Sequence, residues 1–306
     1  MLILQNIRYI HPNKDLLFSN INLTVNQHHK IALIGNNGVG KSTLLKIIAQ
    51  EIQASEGQLK TETKPYYIPQ IVGQYNHLTI AEALGIDKKL QALHEILNGN
   101  TSEVNFNLLN DDWTIEDRCL EALKYWQLND LDLNQKMESL SGGQKTKVFL
   151  AGISIHQPEL ILLDEPSNHL DSKSRTLLYD FIQSSKSTLI IVSHDRKLLN
   201  HLDTVCELSS SGISVYGGNY DFYLEQKQVE TAALHHDIHS KEKALRKAKE
   251  KERETLERQQ KLDSRGKGKQ EKAGVSIIQA YTKGKFCLRQ QQLISVTTVK
   301  ISGRKI

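Results

Sequence analysis

Four apolar residues, Ile31-Ala32-Leu33-Ile34, run directly into Gly35-Asn36-Asn37-Gly38-Val39-Gly40-Lys41-Ser42-Thr43, and Leu44, Leu45, Ile47 and Ile48 follow at helical spacing. A buried strand, a glycine turn and an amphipathic helix in that order leave few folds open. The strand needs a sheet covered on both faces, and the helix must return across it. The chain is therefore expected to be α/β, built on a largely parallel sheet. The turn fits the G-x-x-x-x-G-K-[ST] pattern, in the strand-then-helix setting that its chemistry requires. Gly38 and Gly40 let the backbone curl until its N–H groups face one point, and the helix N-terminus adds partial positive charge there. Such a cradle fits a phosphate chain. Lys41 is placed to neutralise β- and γ-phosphates and Ser42 to ligate magnesium. Gly35, Asn36, Asn37, Val39 and Thr43 complete the candidate nucleotide loop.

Two further apolar runs end in polar residues. Leu160-Ile161-Leu162-Leu163 delivers Asp164, Glu165 and Pro166, and Thr188-Leu189-Ile190-Ile191-Val192 delivers Ser193-His194-Asp195. In open parallel sheets the active site lies beyond the carboxyl ends of the strands, so these residues converge on one side. Asp164 is the candidate magnesium ligand. Glu165 follows directly and is placed to polarise an attacking water as general base. His194, at a comparable strand end, is the candidate γ-phosphate sensor.

Between these motifs lies Leu140-Ser141-Gly142-Gly143-Gln144. With all of them in this order, residues 1–220 resemble the ATP-binding cassette family. The resemblance implies an ABC-type P-loop ATPase domain, a core sheet carrying a helical subdomain at about 76–150, within a cassette of residues 1–223. It implies that ATP and Mg2+ are bound, and that hydrolysis needs two cassettes sandwiched head to tail. Ser141 and Gly143, flanked by Gly142 and Gln144, would then contact the γ-phosphate held by the opposite cassette. Gln70, in Tyr67-Ile68-Pro69-Gln70, becomes the residue linking magnesium and water to the helical subdomain. Ser167-Asn168-His169-Leu170-Asp171 matches the loop that crosses the dimer interface. For the aromatic that stacks on adenine, Tyr9 and His11 both compete, with Tyr9 preferred.

Several stretches are similar to the ABC-F group of the family, whose members act on the ribosome. These are Glu165-Pro166-Ser167-Asn168-His169-Leu170-Asp171, Ser193-His194-Asp195-Arg196-Lys197-Leu198-Leu199, and Tyr216-Gly217-Gly218-Asn219-Tyr220-Asp221-Phe222-Tyr223. Leu198 stands where phenylalanine is more usual. From Leu224 to Lys272 the chain lacks proline and carries abundant Lys, Glu, Gln and Arg around a thin apolar line, Leu234, Ile238, Leu245, Leu256 and Leu262. It reads as a long exposed helix that cannot bury a core of its own. Arg265-Gly266-Lys267-Gly268-Lys269 is expected to break it into a basic loop. The helix stands where ABC-F proteins carry the linker between two cassettes, so the resemblance implies RNA of the ribosome as its partner, bound mainly through phosphate charge.

Charge is unevenly distributed. Residues 241–272 and 273–306 each carry a net charge of about +6, against about −8 for residues 1–240. An acidic body with a basic arm suggests a polyanionic partner for the arm. Mean hydropathy is −0.43, and no apolar run approaches the ~18–20 residues of a spanning helix. Met1-Leu2-Ile3-Leu4 is followed at once by polar residues and reads as a strand. Cys119, Cys206 and Cys287 are scattered and form no metal spacing, as expected of buried thiols in a reducing cytosol. Ala273 to Ile306 has no acidic residue and matches neither linker nor cassette. Two expectations follow: a truncated or frameshifted half of an ABC-F protein, preferred, or a single-cassette protein that pairs with another chain. The alternative functions are an energy subunit of a membrane transporter and an ATP-binding fragment that does not turn over.

Overall fold

The computed structural model describes residues 1–272, with side chains through Arg265. The expectations for the tail and for Cys287 lie outside them. Three strands open the chain order, β1 (Leu2–Ile10), β2 (Leu16–Val25) and β3 (Lys30–Ile34), followed by α1 (Lys41–Ile48). Next come β4 (Glu56–Thr61), β5 (Tyr66–Ile68) and five helices, α2 (Ile80–Leu84), α3 (Asp87–Leu97), α4 (Glu103–Leu109), α5 (Ile115–Tyr125) and α6 (Gly142–His156). The chain then returns to the sheet through β6 (Leu160–Asp164), α7 (Ser172–Ser184), β7 (Thr188–Val192), α8 (Arg196–Leu199), β8 (Thr204–Ser209) and β9 (Gly212–Gly217), and ends in α9 (Tyr220–Lys272).

β1 is paired antiparallel with both β2 and β4, while a second, six-stranded sheet runs in the order β5-β6-β7-β3-β8-β9. All its pairings are parallel except β8–β9. Because successive strand residues point to opposite faces, the apolar runs divide into two cores. Ala32, Ile161, Leu163, Leu189, Ile191 and Val205 face a core shared with α5, α6 and α7. Ile31, Leu33, Leu160, Leu162, Ile190, Val192 and Cys206 face a second core with α1 and the antiparallel strands. The continuous hydrophobicity of β3, β6 and β7 thus follows from burial on both faces.

The helical subdomain grows from α2. A capping box at Thr79 and Glu82 starts that helix. Leu84, Leu90 and Leu93 are buried, whereas Leu97 is 69% exposed, in the last turn of α3 beyond the reach of the packed face. Cys119 and Cys206 are buried free thiols, and burial pushes them up to about 11 and about 12.

Contacts divide the chain into a cassette unit, Met1–Gln228, and a second unit from Val229. Tyr220, Tyr223 and Leu224 pack in the cassette core, and Tyr223 is buried. Beyond Gln228 the apolar line stands in solvent, with Leu234, Ile238, Leu245, Leu256 and Leu262 all exposed. The expected break at Arg265–Lys269 is not found, since α9 continues to Lys272. Gly266 and Gly268 each cost about 1 kcal/mol relative to alanine, but they are isolated among Arg, Lys, Gln and Glu, which favour helix. Among the described residues no helix is long and apolar enough to cross a membrane.

Candidate nucleotide site

β3, β6 and β7 lie side by side and end on the same side of the sheet, so the three polar strand ends meet. Around them is a cavity of about 610 Å³. The loop between β3 and α1 forms one wall with Asn37, Gly38, Gly40, Lys41, Ser42 and Thr43, and Asp164, Glu165 and His194 form another. Gly40 has φ 103° and its missing side chain leaves room for Phe18: a Cβ there would lie 2.8 Å from the ring. That close approach lets the loop wrap the start of α1, which has no acidic residue in its first turn to oppose an anion.

Lys41 Nζ donates to the carbonyls of Gly35 at 2.8 Å and Asn36 at 3.2 Å, closing the loop on itself. Burial lowers its pKa, and the nearby carboxylates of Glu165 and Asp164 oppose that shift. Asp164 is buried at the end of β6. Burial raises its pKa, while hydrogen bonding to Ser42 and Tyr67 favours the charged form. Tyr67 donates to Oδ2 at 3.5 Å, and Oδ1 has no hydrogen-bond partner. A buried carboxylate oxygen without a donor, beside a serine hydroxyl, fits a hard cation. The donor set of Ser42, Asp164 and Gln70 supplies one carboxylate, one hydroxyl and one amide. That set suits Mg2+, which binds through few protein ligands and takes its remaining oxygens from phosphates and water.

Glu165 is 8% exposed and holds a left-handed backbone with φ 52°. Its amide donates to Val192 at 2.8 Å, so the strand continues for one bond as the chain turns. The carboxylate accepts from the His194 amide at 3.3 Å, and His194 Nε2 lies 3.4 Å from the other oxygen. Burial pushes the Glu165 carboxyl above the ordinary glutamate range, opposed chiefly by His194. A carboxylate so placed is desolvated yet oriented, as a general base requires.

Two sequence-predicted groups lie elsewhere. Tyr9 packs in the second core beside Phe18, and its ring meets His11 edge to face at 5.5 Å. His11 and Leu17, not Tyr9, line the cavity. Ser141 to Gln144 are not among the cavity residues. They form the N-terminus of α6: Ser141 accepts from the Gln144 amide at 3.3 Å and Gln144 accepts from the Ser141 amide at 2.9 Å. This capping box organises a helix start that can meet an anion. A Cβ on Gly143 would lie 2.6 Å from the His169 carbonyl, so the glycine lets the 167–171 loop lie against the start of α6. Asp171 caps α7, accepting from the Ser174 amide at 2.7 Å, and the Ser174 side chain together with that amide holds its carboxyl below the usual range.

Sequence reasoning missed Leu17, Asn168 and the Tyr67 hydroxyl. Asn168 stood within a recognised motif, but no local signal marks Leu17 or Tyr67, which reach the site only through sheet pairing and loop closure.

Residues 18–168 match the family model described as ABC transporter. Among curated proteins, the chain is 31% identical over 232 residues to the ATP-binding protein Uup of Escherichia coli, covering 69% of this chain and 36% of that protein. It is 30% identical to the tylosin resistance ATP-binding protein TlrC of Streptomyces fradiae, covering 70% of this chain and 44% of TlrC. ABC transporter F family member 2 of Arabidopsis thaliana is also 30% identical, covering 75% of this chain and 31% of that protein. The chain thus spans less than half the length of these relatives. The fold matches the ATP-binding cassette MJ0796, solved as a dimer with ADP and Pi, at TM-score 0.56 and 22% identity over 71% of this chain and 98% of that one. The ATP-binding subunit of an ABC transporter gives TM-score 0.57 at 21% identity, covering 74% and 93%. With the phosphate loop, the acidic strand end and the signature helix all in place, the chain belongs to the ATP-binding cassette family, in its ABC-F branch.

Proposed function

We propose that this chain is an ABC-F-type ATPase of the cytoplasm that binds ATP with Mg2+ and hydrolyses it when a second cassette closes over the site. The observation that carries the reading is the convergence of Lys41, Asp164, Glu165 and His194 on one cavity beside the start of α1. The loop amides and Lys41 would hold the β- and γ-phosphates, and His11 and Leu17 would border the base. Ser42, Asp164 and Gln70 would hold magnesium, which neutralises phosphate charge. Glu165 would orient and deprotonate the attacking water, with His194 fixing the carboxylate and touching the γ-phosphate. Ser141 to Gln144, at the capped start of α6, would serve the site of another cassette.

The charged helix beyond Gln228 would bind ribosomal RNA through phosphate contacts. One of the relatives is named for tylosin resistance, and protection of the ribosome from an antibiotic is the corresponding role. Two measurements test this. Steady-state ATPase should rise faster than linearly with protein concentration, because the active species is a cassette pair; strictly linear activity sinks the second-cassette requirement. Cosedimentation of Glu165→Gln with ribosomes should need ATP and weaken steeply with salt. Binding indifferent to both overturns the ribosomal reading.

A further inference from the structure

The root of α9 sits against the back of the nucleotide loop and is held there by two separate anchors. The first is on β8. Glu207 pairs in register with Ile34, the residue directly before Gly35. Lys227, two turns into α9, donates to Glu207 Oε2 at 2.6 Å. Lys227 also donates to the Tyr216 hydroxyl at 3.3 Å, and that hydroxyl reaches the same carboxylate oxygen at 3.4 Å. The buried Tyr223 ring meets Tyr216 edge to face with centroids 5.0 Å apart. The second anchor is on α8, the helix that follows Ser193-His194-Asp195. Asn200, at the end of α8, donates to Asp221 at 2.9 Å and accepts from the Asp221 amide at 3.0 Å. Between the anchors lies a cavity of about 210 Å³, lined by Gly35, Lys41 and His194 on one side and Glu207, Tyr220 and Tyr223 on the other.

The first two turns of α9 therefore bridge β8, which pairs with the strand leading into the nucleotide loop and Lys41, and α8, which directly follows the His194 segment. Resting on the nucleotide site described above, we propose that Glu207 and Lys227 are positioning residues: their clasp seats the root of α9 so that it sets the loop that receives the phosphates. Neither residue lines the nucleotide cavity, so both act through other groups. By linkage, seating the root strengthens nucleotide binding, and nucleotide binding steadies the root by the same factor. A pair only partly exposed, at 26% and 39%, and tied to two tyrosines is a better carrier of such coupling than a solvated ion pair.

The test uses the full chain. Lys227→Met keeps the stem and removes the charge, and Glu207→Gln removes the other partner. Each should weaken ATP binding about 5- to 10-fold with kcat within about twofold, and the exchanged pair Glu207→Lys with Lys227→Glu should recover most of the loss. Amide hydrogen exchange at residues 220–228 should slow on adding ATP in the parent and not in Lys227→Met. Circular dichroism and thermal melting verify that each variant is folded. Wild-type ATP affinity in folded Lys227→Met and Glu207→Gln, or ATP protection of 220–228 that persists in Lys227→Met, overturns the clasp. Lys41→Ala separates the two readings: it should abolish ATP binding, and if it does not, the nucleotide-site reading falls and the clasp with it.

Discussion

Glu165 combines three features that rarely occur together, near-complete burial, a left-handed backbone and an acidic neighbour, Asp164, one residue away. Left-handed conformations are uncommon for residues other than glycine, and they concentrate at functional sites. Replacing Glu165 with Gln should lower turnover by about 10²- to 10⁴-fold while ATP binding, read with a fluorescent nucleotide, is retained. Normal turnover in that variant removes the base assignment. The pH dependence follows from the same burial. The reactive form is the carboxylate, and its folded-state pKa is raised. As pH falls, activity should therefore begin to drop above the ordinary glutamate value of about 4.3. For stability the sign is opposite. A raised carboxyl pKa contributes stability that is present below the unfolded value and lost as pH rises through the folded one. At neutral pH the ionised side chain thus weakens the fold, and Glu165→Gln should melt higher than the parent, with the difference vanishing in acid. An equal or lower melting temperature at neutral pH contradicts that account.

At the scale of elements, α6 carries two roles at its first turn. Ser141 and Gln144 satisfy its free amides, and Gly143 admits the His169 carbonyl. Ser141→Ala should cost about 1 kcal/mol as a lost cap. Gly143→Ala should cost about 1–3 kcal/mol, because a backbone carbonyl must move. Urea unfolding at low protein concentration isolates these terms from pairing, and a silent Gly143→Ala refutes the packing argument. The strands were legible in the sequence for a plain reason: β3, β6 and β7 are buried on both faces, so each is an unbroken apolar run. The order of their polar ends was legible too. The choice between Tyr9 and His11 was not. Alternation along β1 is interrupted by register shifts between Leu4 and Ile7, between Ile7 and Tyr9 and between Tyr9 and Ile10. One irregularity of that kind turns a side chain from one face to the other, which is why Tyr9 packs inward while His11 borders the cavity.

For the molecule as a whole, both apolar cores lie within the cassette unit ending at Gln228. A chain stopped after Gln228 should therefore fold with a melting temperature close to that of the full chain. One stopped after Gly218 loses Tyr220, Tyr223 and Leu224 from the first core and should melt lower. Comparing the two melts checks where the cassette ends, and equal values place the boundary earlier. On the proposed ribosomal reading, deleting the exposed arm should also remove the salt-dependent share of binding, since its charge is a surface property that no core depends on.

The sequence by itself determined the identities that chemistry demands: a lysine and serine after a glycine turn, adjacent acids at one strand end, a histidine at another, and the signature between them. Those choices are local, set by spacing and by the backbone conformations that glycine permits. Only the tertiary structure decided which groups meet. The aromatic border of the cavity, the Tyr67 bond to Asp164 and the Glu207–Lys227 clasp join residues distant in the chain. They depend on strand register and packing, and no short stretch of sequence encodes either.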